Sequence, residues 1–190
     1  MSPRRYELGK RAEAQQATRR RIVEATFELH GERGIAATTY RDIAERADVS
    51  LATVYRHFPT YEHVVRACGA LTAELQPPLD AEAVRAADDP VAALVDAVFG
   101  LYDFEPGVLT MLRVEQRAVP VLAEFVAGAD EELERLVRES LPDLDADGVA
   151  TVVALLDEGV HRSLLASGLA PETARERIAS VIHAWRGATT

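Results

Sequence analysis

Between Leu51 and His57 the chain sets out a hydroxyl (Thr53), a phenol (Tyr55), a guanidinium (Arg56) and an imidazole (His57). Read as one short helix, the segment turns Leu51, Val54 and Phe58 inward and Ala52, Thr53, Tyr55, Arg56 and His57 outward. Groups of these types reach base edges and phosphate oxygens, and small residues at the helix start let the backbone approach a groove closely. The chemistry they suit is recognition of duplex DNA. A solvated surface helix of a plain bundle is the competing reading, and a lone Tyr-Arg-His triplet would favour it. The flanking residues favour DNA.

Those flanking residues build the frame that has to hold the polar set. Thr39 followed by Asp42 is a capping-box-like helix start. Tyr40 to Ala47 then places Ile43, Ala44 and Ala47 on one face. Asp48 stands where the chain must turn sharply, and Asp tolerates left-handed backbone better than most residues. Ser50 is a suitable N-cap for the polar helix, and Pro59 ends it. Thr60 then caps a longer helix from Tyr61 to Leu75. Two short helices, a tight turn and a third helix are the layout of a helix-turn-helix.

Residues from about Arg19 to Val65 resemble the N-terminal domain of the tetracycline-repressor (TetR) family of bacterial transcriptional regulators. The residues that carry the likeness are RIVEATFELHGERGIAATTYRDIAERADVS, with Ala25, Phe27 and Gly34 placed as in the family, and then TVYRHFPTYE. The likeness covers about a quarter of the chain. It implies that Thr53, Tyr55 and His57 contact phosphates or bases. It also implies that Tyr40 and Arg41 touch DNA from the start of the first helix of the motif, and that Leu51, Ala52 and Arg56 set operator sequence. Two positions depart from the pattern. Tyr61 stands where the family carries a lysine that meets phosphate, and Asp48 where the turn often has glycine.

Charge is distributed to match. The whole chain carries a formal −10. Residues 1–68 nevertheless hold 12 basic and 9 acidic side chains, whereas residues 69–190 hold 9 and 22. A positive end on an acidic body engages phosphate while staying soluble. Residues 1–18 read as a basic flexible arm with Arg4, Arg5, Lys10 and Arg11, and Arg19 to Arg21 begin a helix. The basic start is followed by no apolar core of a secretion signal, and no apolar run approaches the ~18 residues of a membrane span. The single Cys68 excludes an internal disulfide framework and suits a reducing cytoplasm.

The remainder, residues 66–190, reads as helices throughout, giving an all-α fold. A three-helix DNA-binding head precedes a C-terminal helical bundle for ligand binding and dimerisation. Prolines open helices at Pro90, Pro106, Pro120 and Pro171, and one continuous helix is expected from about Asp147 to Ser167. That helix and the last one are the expected homodimer interface. Val152, Leu156, Gly159, Val160 and Ser163 lie on the first, and Ile178, Val181, Ile182 and Trp185 on the second. A dimer presents two recognition helices about 34–36 Å apart to a pseudo-palindromic site.

A largely apolar small-molecule effector is the other partner the resemblance implies. Phe99, Tyr102, Met111 and Phe125 supply apolar surface on the middle helices, and Arg113, Gln116 and His161 are the polar groups that would orient a ligand. Each also suits a plain core or surface role. Asp157 and His161 have i, i+4 spacing, but no second cluster completes a metal site, and a surface ion pair fits them better. No Gly-rich phosphate loop, nucleophile elbow or HExxH motif is present, so no catalytic residue, metal or cofactor is assigned. The expectation is a ligand-responsive repressor rather than an enzyme. The alternative is a helical small-molecule or protein-binding module whose head no longer works on DNA, a reading that rests on Tyr61.

Overall fold

The computed structural model describes the backbone of residues 3–189 and the side chains of Lys10 and residues 12–188. Within that range every regular element is a helix. The chain forms two compact units. One holds the residues up to Leu75 together with Glu115–Val121, and the other holds Gln76–Val114 and the residues from Leu122 onward.

The first unit contains α1 (Pro3–Arg33), α2 (Tyr40–Arg46), α3 (Leu51–His57) and α4 (Tyr61–Leu75). α1 begins at Pro3, so residues 3–18 continue the helix instead of forming an arm. This stretch lacks an apolar stripe but is rich in Ala, Glu, Gln, Lys and Arg, which favour helix on their own. The side chains of Arg4, Arg5 and Arg11 lie outside the described residues.

Local signals act as the sequence predicts. The Thr39 hydroxyl accepts from the Asp42 amide, and the Asp42 carboxylate accepts from the Thr39 amide at 2.9 Å. Asp48 takes φ +50°, the left-handed turn. Ser50 Oγ accepts from the Thr53 amide at 3.1 Å. Around this frame Ile22, Leu29, Ile43, Val54, Phe58 and Val64 form a fully buried core. Arg46 braces α2 against α1 by pairing with Glu28 and Glu32 at 3.0 and 2.7 Å. These pairs are exposed and contribute little each.

The turn between α1 and α2 is held from two sides. Tyr61 Oη donates to the Ile35 carbonyl at 2.6 Å and lies 3.1 Å from His30 Nε2. With the phenol proton committed to the carbonyl, His30 must donate its Nε2–H to the phenol oxygen. Opposite, Glu115 Oε2 accepts from the Ile35 and Ala36 amides, both at 2.8 Å.

Burial lowers the His30 pKa to about 4. The folded state therefore holds the imidazole neutral while the unfolded chain takes up a proton near pH 6.5. Stability from this group is complete above pH 6.5 and is lost as pH falls toward and through 4. Its full extent is roughly 3 kcal/mol. Urea unfolding across pH 7 to 4 should show the loss, and His30→Gln should show a flatter profile over the same window.

The second unit contains α5 (Ala81–Arg85), α6 (Pro90–Phe104), α7 (Val108–Glu115, its last residue counted with the first unit), α8 (Leu122–Ser140), α9 (Ala146–Leu155), α10 (Glu158–Ala166) and α11 (Pro171–Thr189). Aspartates cap four of these helices: Asp80, Asp89, Asp145 and Asp157 each accept from amides in the following turn. α6 is the central helix, packed on α5, α8, α10 and α11. Leu94, Phe99, Leu136, Val152, Leu156 and Ile182 form the buried centre.

The single helix expected over 147–167 is two. α9 ends at Leu155, and Asp157 starts α10 by accepting from the Gly159 amide at 2.7 Å. The buried Tyr102 hydroxyl donates to the Leu156 carbonyl at 2.9 Å, occupying a group that continuous helix would have used. Burial raises the Tyr102 pKa, with the Asp157 and Glu158 charges adding to the effect. The phenol therefore stays protonated and keeps donating.

Candidate nucleic-acid interface

α3 presents the polar set as expected. Tyr55 is 52% exposed, Ala52 and Arg56 are exposed, and Thr53 and His57 are half-buried. Val54 and Phe58 anchor the opposite face in the core. Leu51 differs from its expected inward direction: it is 39% exposed, because the first residue of so short a helix lies outside the packed turn. That leaves it available for its other expected role, contact with the operator.

Two tyrosines assigned to DNA have hydroxyls already in use. Tyr40 Oη donates to the Phe58 carbonyl at 2.6 Å, closing the end of α3. Burial and the neighbouring Tyr55 raise its pKa to about 12. Its ring meets that of Tyr55 edge-on, with centroids 4.8 Å apart. Tyr40 thus orients Tyr55 and fixes the end of the polar helix. Tyr61 departs further. Its hydroxyl is bound within the α1–α2 turn and desolvation raises its pKa, so it does not replace a charged phosphate contact.

The cations around α3 differ in their commitments. Arg19 lies over the Phe58 ring at 4.2 Å and reaches the His57 carbonyl, supporting α3 from α1. Arg20, Arg33 and Arg46 pair with carboxylates. Arg21, Arg41 and Arg56 are exposed and pair with no carboxylate among the described residues. An unpaired guanidinium meets phosphate without first breaking an ion pair. His57 has its pKa lowered, first by burial and then by the Arg56 and Arg19 charges. Near neutral pH it acts as an uncharged hydrogen-bonding group. The Tyr55 hydroxyl has no partner among the described residues and points to no internal role.

The candidate effector residues are only partly brought together. The Phe99 and Tyr102 rings lie 4.6 and 5.8 Å from that of His161, all three buried in the second unit. Arg113 pairs instead with Asp157 at 2.9 Å and Asp130 at 2.6 Å. Met111 and Phe125 are half-buried, and Gln116 belongs to the segment grouped with the first unit. Asp157 and His161 do not pair with each other. Asp157 caps α10, while His161 is buried and lies 3.1 Å from Asp103. Glu158, next to Asp157 in the chain, is buried at the start of α10. No group of three or more His, Cys, Asp or Glu among the described residues is placed to hold a metal. No helix among them is long and apolar enough to cross a membrane.

Four of the residues expected at a dimer contact, Val152, Leu156, Ile178 and Ile182, are buried within the core of the second unit. Gly159, Val160 and Trp185 are half-buried, and Ser163 and Val181 are exposed, Val181 by 48%.

Residues 22–68 match the family described as bacterial regulatory proteins, tetR family. A transcriptional repressor of Mycolicibacterium smegmatis, KstR, is 42% identical over 81 residues, which are 43% of this chain and 37% of that repressor. The chain thus matches little more than a third of that curated relative's length. A transcriptional regulator from Rhodococcus sp. Rha1 shares the fold at TM-score 0.66 and 20% identity, over 86% of this chain and 95% of that one. A regulator from Saccharomonospora viridis, solved in complex with choline, shares it at TM-score 0.59 and 23% identity over 88% and 96%. The two short helices α2 and α3 and the turn at Asp48 have the layout of a helix-turn-helix, with a polar outer face on α3. The likeness to the tetR family of bacterial regulatory proteins is that of the N-terminal segment, residues 22–68.

Proposed function

We propose that this protein is a ligand-responsive transcriptional repressor that binds a pseudo-palindromic operator as a homodimer. The observation that carries the reading is α3. It offers Tyr55 with an unpartnered hydroxyl, the free guanidinium of Arg56 and a neutral His57 on one short helix anchored by Val54 and Phe58. Tyr55 and Arg56 read base edges or phosphates directly, and Arg21 and Arg41 add phosphate contacts. The alternative of a head that no longer works on DNA rests on the lysine missing at Tyr61, and the exposed guanidinium groups of Arg21, Arg41 and Arg56 offer phosphate contacts in its place.

Selection of bound fragments from a random duplex library tests the operator, and titration over increasing salt tests the mode. Several neutralised phosphates require affinity to fall steeply, with a slope near −0.9 per phosphate contact on a log–log plot. A flat salt dependence with no recovered palindrome overturns the reading.

Dimerisation uses the outer faces of α10 and α11, where Val181 and Ser163 are exposed beside Val160, Gly159 and Trp185. Val181→Glu places a charge on that face without touching the core. Sedimentation at micromolar concentration should show a shift from dimer to monomer, with helical content unchanged.

The effector site lies in the second unit. Support comes from the aromatic and polar groups gathered there and from the choline bound by a regulator of the same fold. Effector binding acts by favouring one separation of the two recognition helices over another, since a ligand with equal affinity for both states shifts nothing. The α4 helix, which joins the motif to the rest of the chain, is the lever in this reading.

A further inference from the structure

We infer that the effector is a small organic cation carrying an N–H donor, and that Glu158 is its anchor. This deepens the reading that the second unit binds an effector and rests on it. Glu158 is 2% exposed. Its Oε2 accepts from the Thr110 amide and from the Thr110 hydroxyl, both at 2.7 Å. Its Oε1 is buried and accepts from nothing. A buried carboxylate oxygen without a donor is costly, and the rest of the site shows why none is supplied from within. Arg113 is held by Asp157 and Asp130, Arg162 donates to the Thr110 hydroxyl, and Arg175 pairs with Asp103.

A second buried polar atom without a hydrogen bond lies on the same helix. His161, one turn further along α10 and 4% exposed, has its Nε2 buried without a hydrogen bond. Asp103 Oδ1 lies 3.1 Å from that nitrogen but outside hydrogen-bonding alignment. The rings of Phe99 and Tyr102 flank the imidazole. A carboxylate oxygen in need of a donor, one helical turn from an imidazole flanked by two aromatic rings, is the chemistry that takes an ammonium or amidinium with an apolar substituent. The strongly acidic C-terminal part of the chain raises the local concentration of such cations. A metal ion fits less well, because no third ligand joins these groups among the described residues.

Thr110, half-buried on α7, is the group that covers the Glu158 carboxylate. α7 buries none of its own residues fully, so it is the cover of this site with least packing to lose. Displacing Thr110 uncovers the carboxylate, and the ligand's N–H groups take over the donation.

Calorimetry on the full chain at neutral pH decides the matter with three probes of one shape: benzylamine and benzamidine, both cations, and benzyl alcohol, which is neutral. Both cations should bind, and more tightly than the alcohol by roughly tenfold or more. Glu158→Gln should abolish that preference while leaving the alcohol unchanged. If the variant fails to fold, the preference of the wild-type protein for cation over alcohol still decides. Absence of cation binding at millimolar probe, equal binding of the alcohol, or unchanged cation binding by Glu158→Gln overturns the inference and leaves the polar pair to buried water. A parallel DNA-binding titration separates this from the effector reading itself. Cations that bind at Glu158 without altering DNA affinity support the site and sink the effector role. Release of DNA by a different ligand, undiminished in Glu158→Gln and with no cation binding, does the reverse.

Discussion

Tyr55→Ala should weaken operator binding by about 1–3 kcal/mol, which is roughly five- to 150-fold, without lowering thermal stability. The side chain is 52% exposed and its hydroxyl has no partner within the described protein, so truncation opens no core cavity. Its ring packs edge-on against that of Tyr40. Tyr55→Phe separates the two roles, since it keeps the ring against Tyr40 and removes only the hydroxyl. Equal losses in both variants assign the effect to the hydroxyl, and a loss confined to alanine assigns it to ring position. Tyr40→Phe supplies the contrast. It removes the bond to the Phe58 carbonyl and should cost stability as well as affinity, because it loosens the end of α3. Operator affinity by fluorescence anisotropy and urea unfolding of the same preparations give both numbers. Full affinity in Tyr55→Ala would remove α3 as the recognition helix.

The head was legible in the sequence because its signals are local. Thr39 with Asp42, Asp48 at the turn, Ser50 before the polar helix and Pro59 after it each act within three or four residues. What the sequence hid there was long-range. Tyr61 answers His30 and Ile35, 31 and 26 residues away, and nothing in its neighbours announces that its hydroxyl turns inward. Glu115 meets the Ile35 and Ala36 amides from about 80 residues on.

The second unit shows a different limit. Pro90 and Pro171 open α6 and α11 as expected, whereas α7 and α8 start two residues beyond Pro106 and Pro120, and the five-residue α5 capped by Asp80 was not expected. The break at Leu156–Asp157 could not be read from periodicity, because the apolar stripe runs straight through it. The break is tertiary in origin. Tyr102 takes the Leu156 carbonyl, Arg113 takes the Asp157 carboxylate, and α10 restarts with Glu158 turned inward. The same cause turns Glu158 inward and leaves Val152 and Leu156 in the protomer's own core.

Gly34→Ala should destabilise the first unit by about 2–5 kcal/mol, and the roughly 1–3 kcal/mol of that which acts through Glu115 should vanish when Glu115 is absent. Gly34 sits at φ +89°, where a side chain costs about 1–2 kcal/mol by itself. An added Cβ would also lie 2.3 Å from Glu115 Oε1. The carboxylate end is flexible and can swing away, so the collision alone is cheap. Swinging away, however, withdraws Oε2 from the Ile35 and Ala36 amides. Ile35 is buried, and a buried amide left without an acceptor costs about 1–3 kcal/mol. Glu115→Ala alone should therefore cost a similar 1–3 kcal/mol. In the double variant the amides are already unpaired and nothing obstructs the new methyl, so alanine at 34 should add only its backbone cost. Denaturant unfolding of the four proteins gives the coupling directly. Additive losses would show that Gly34 is required for its backbone angle alone and that the Glu115 carboxylate does not hold the turn.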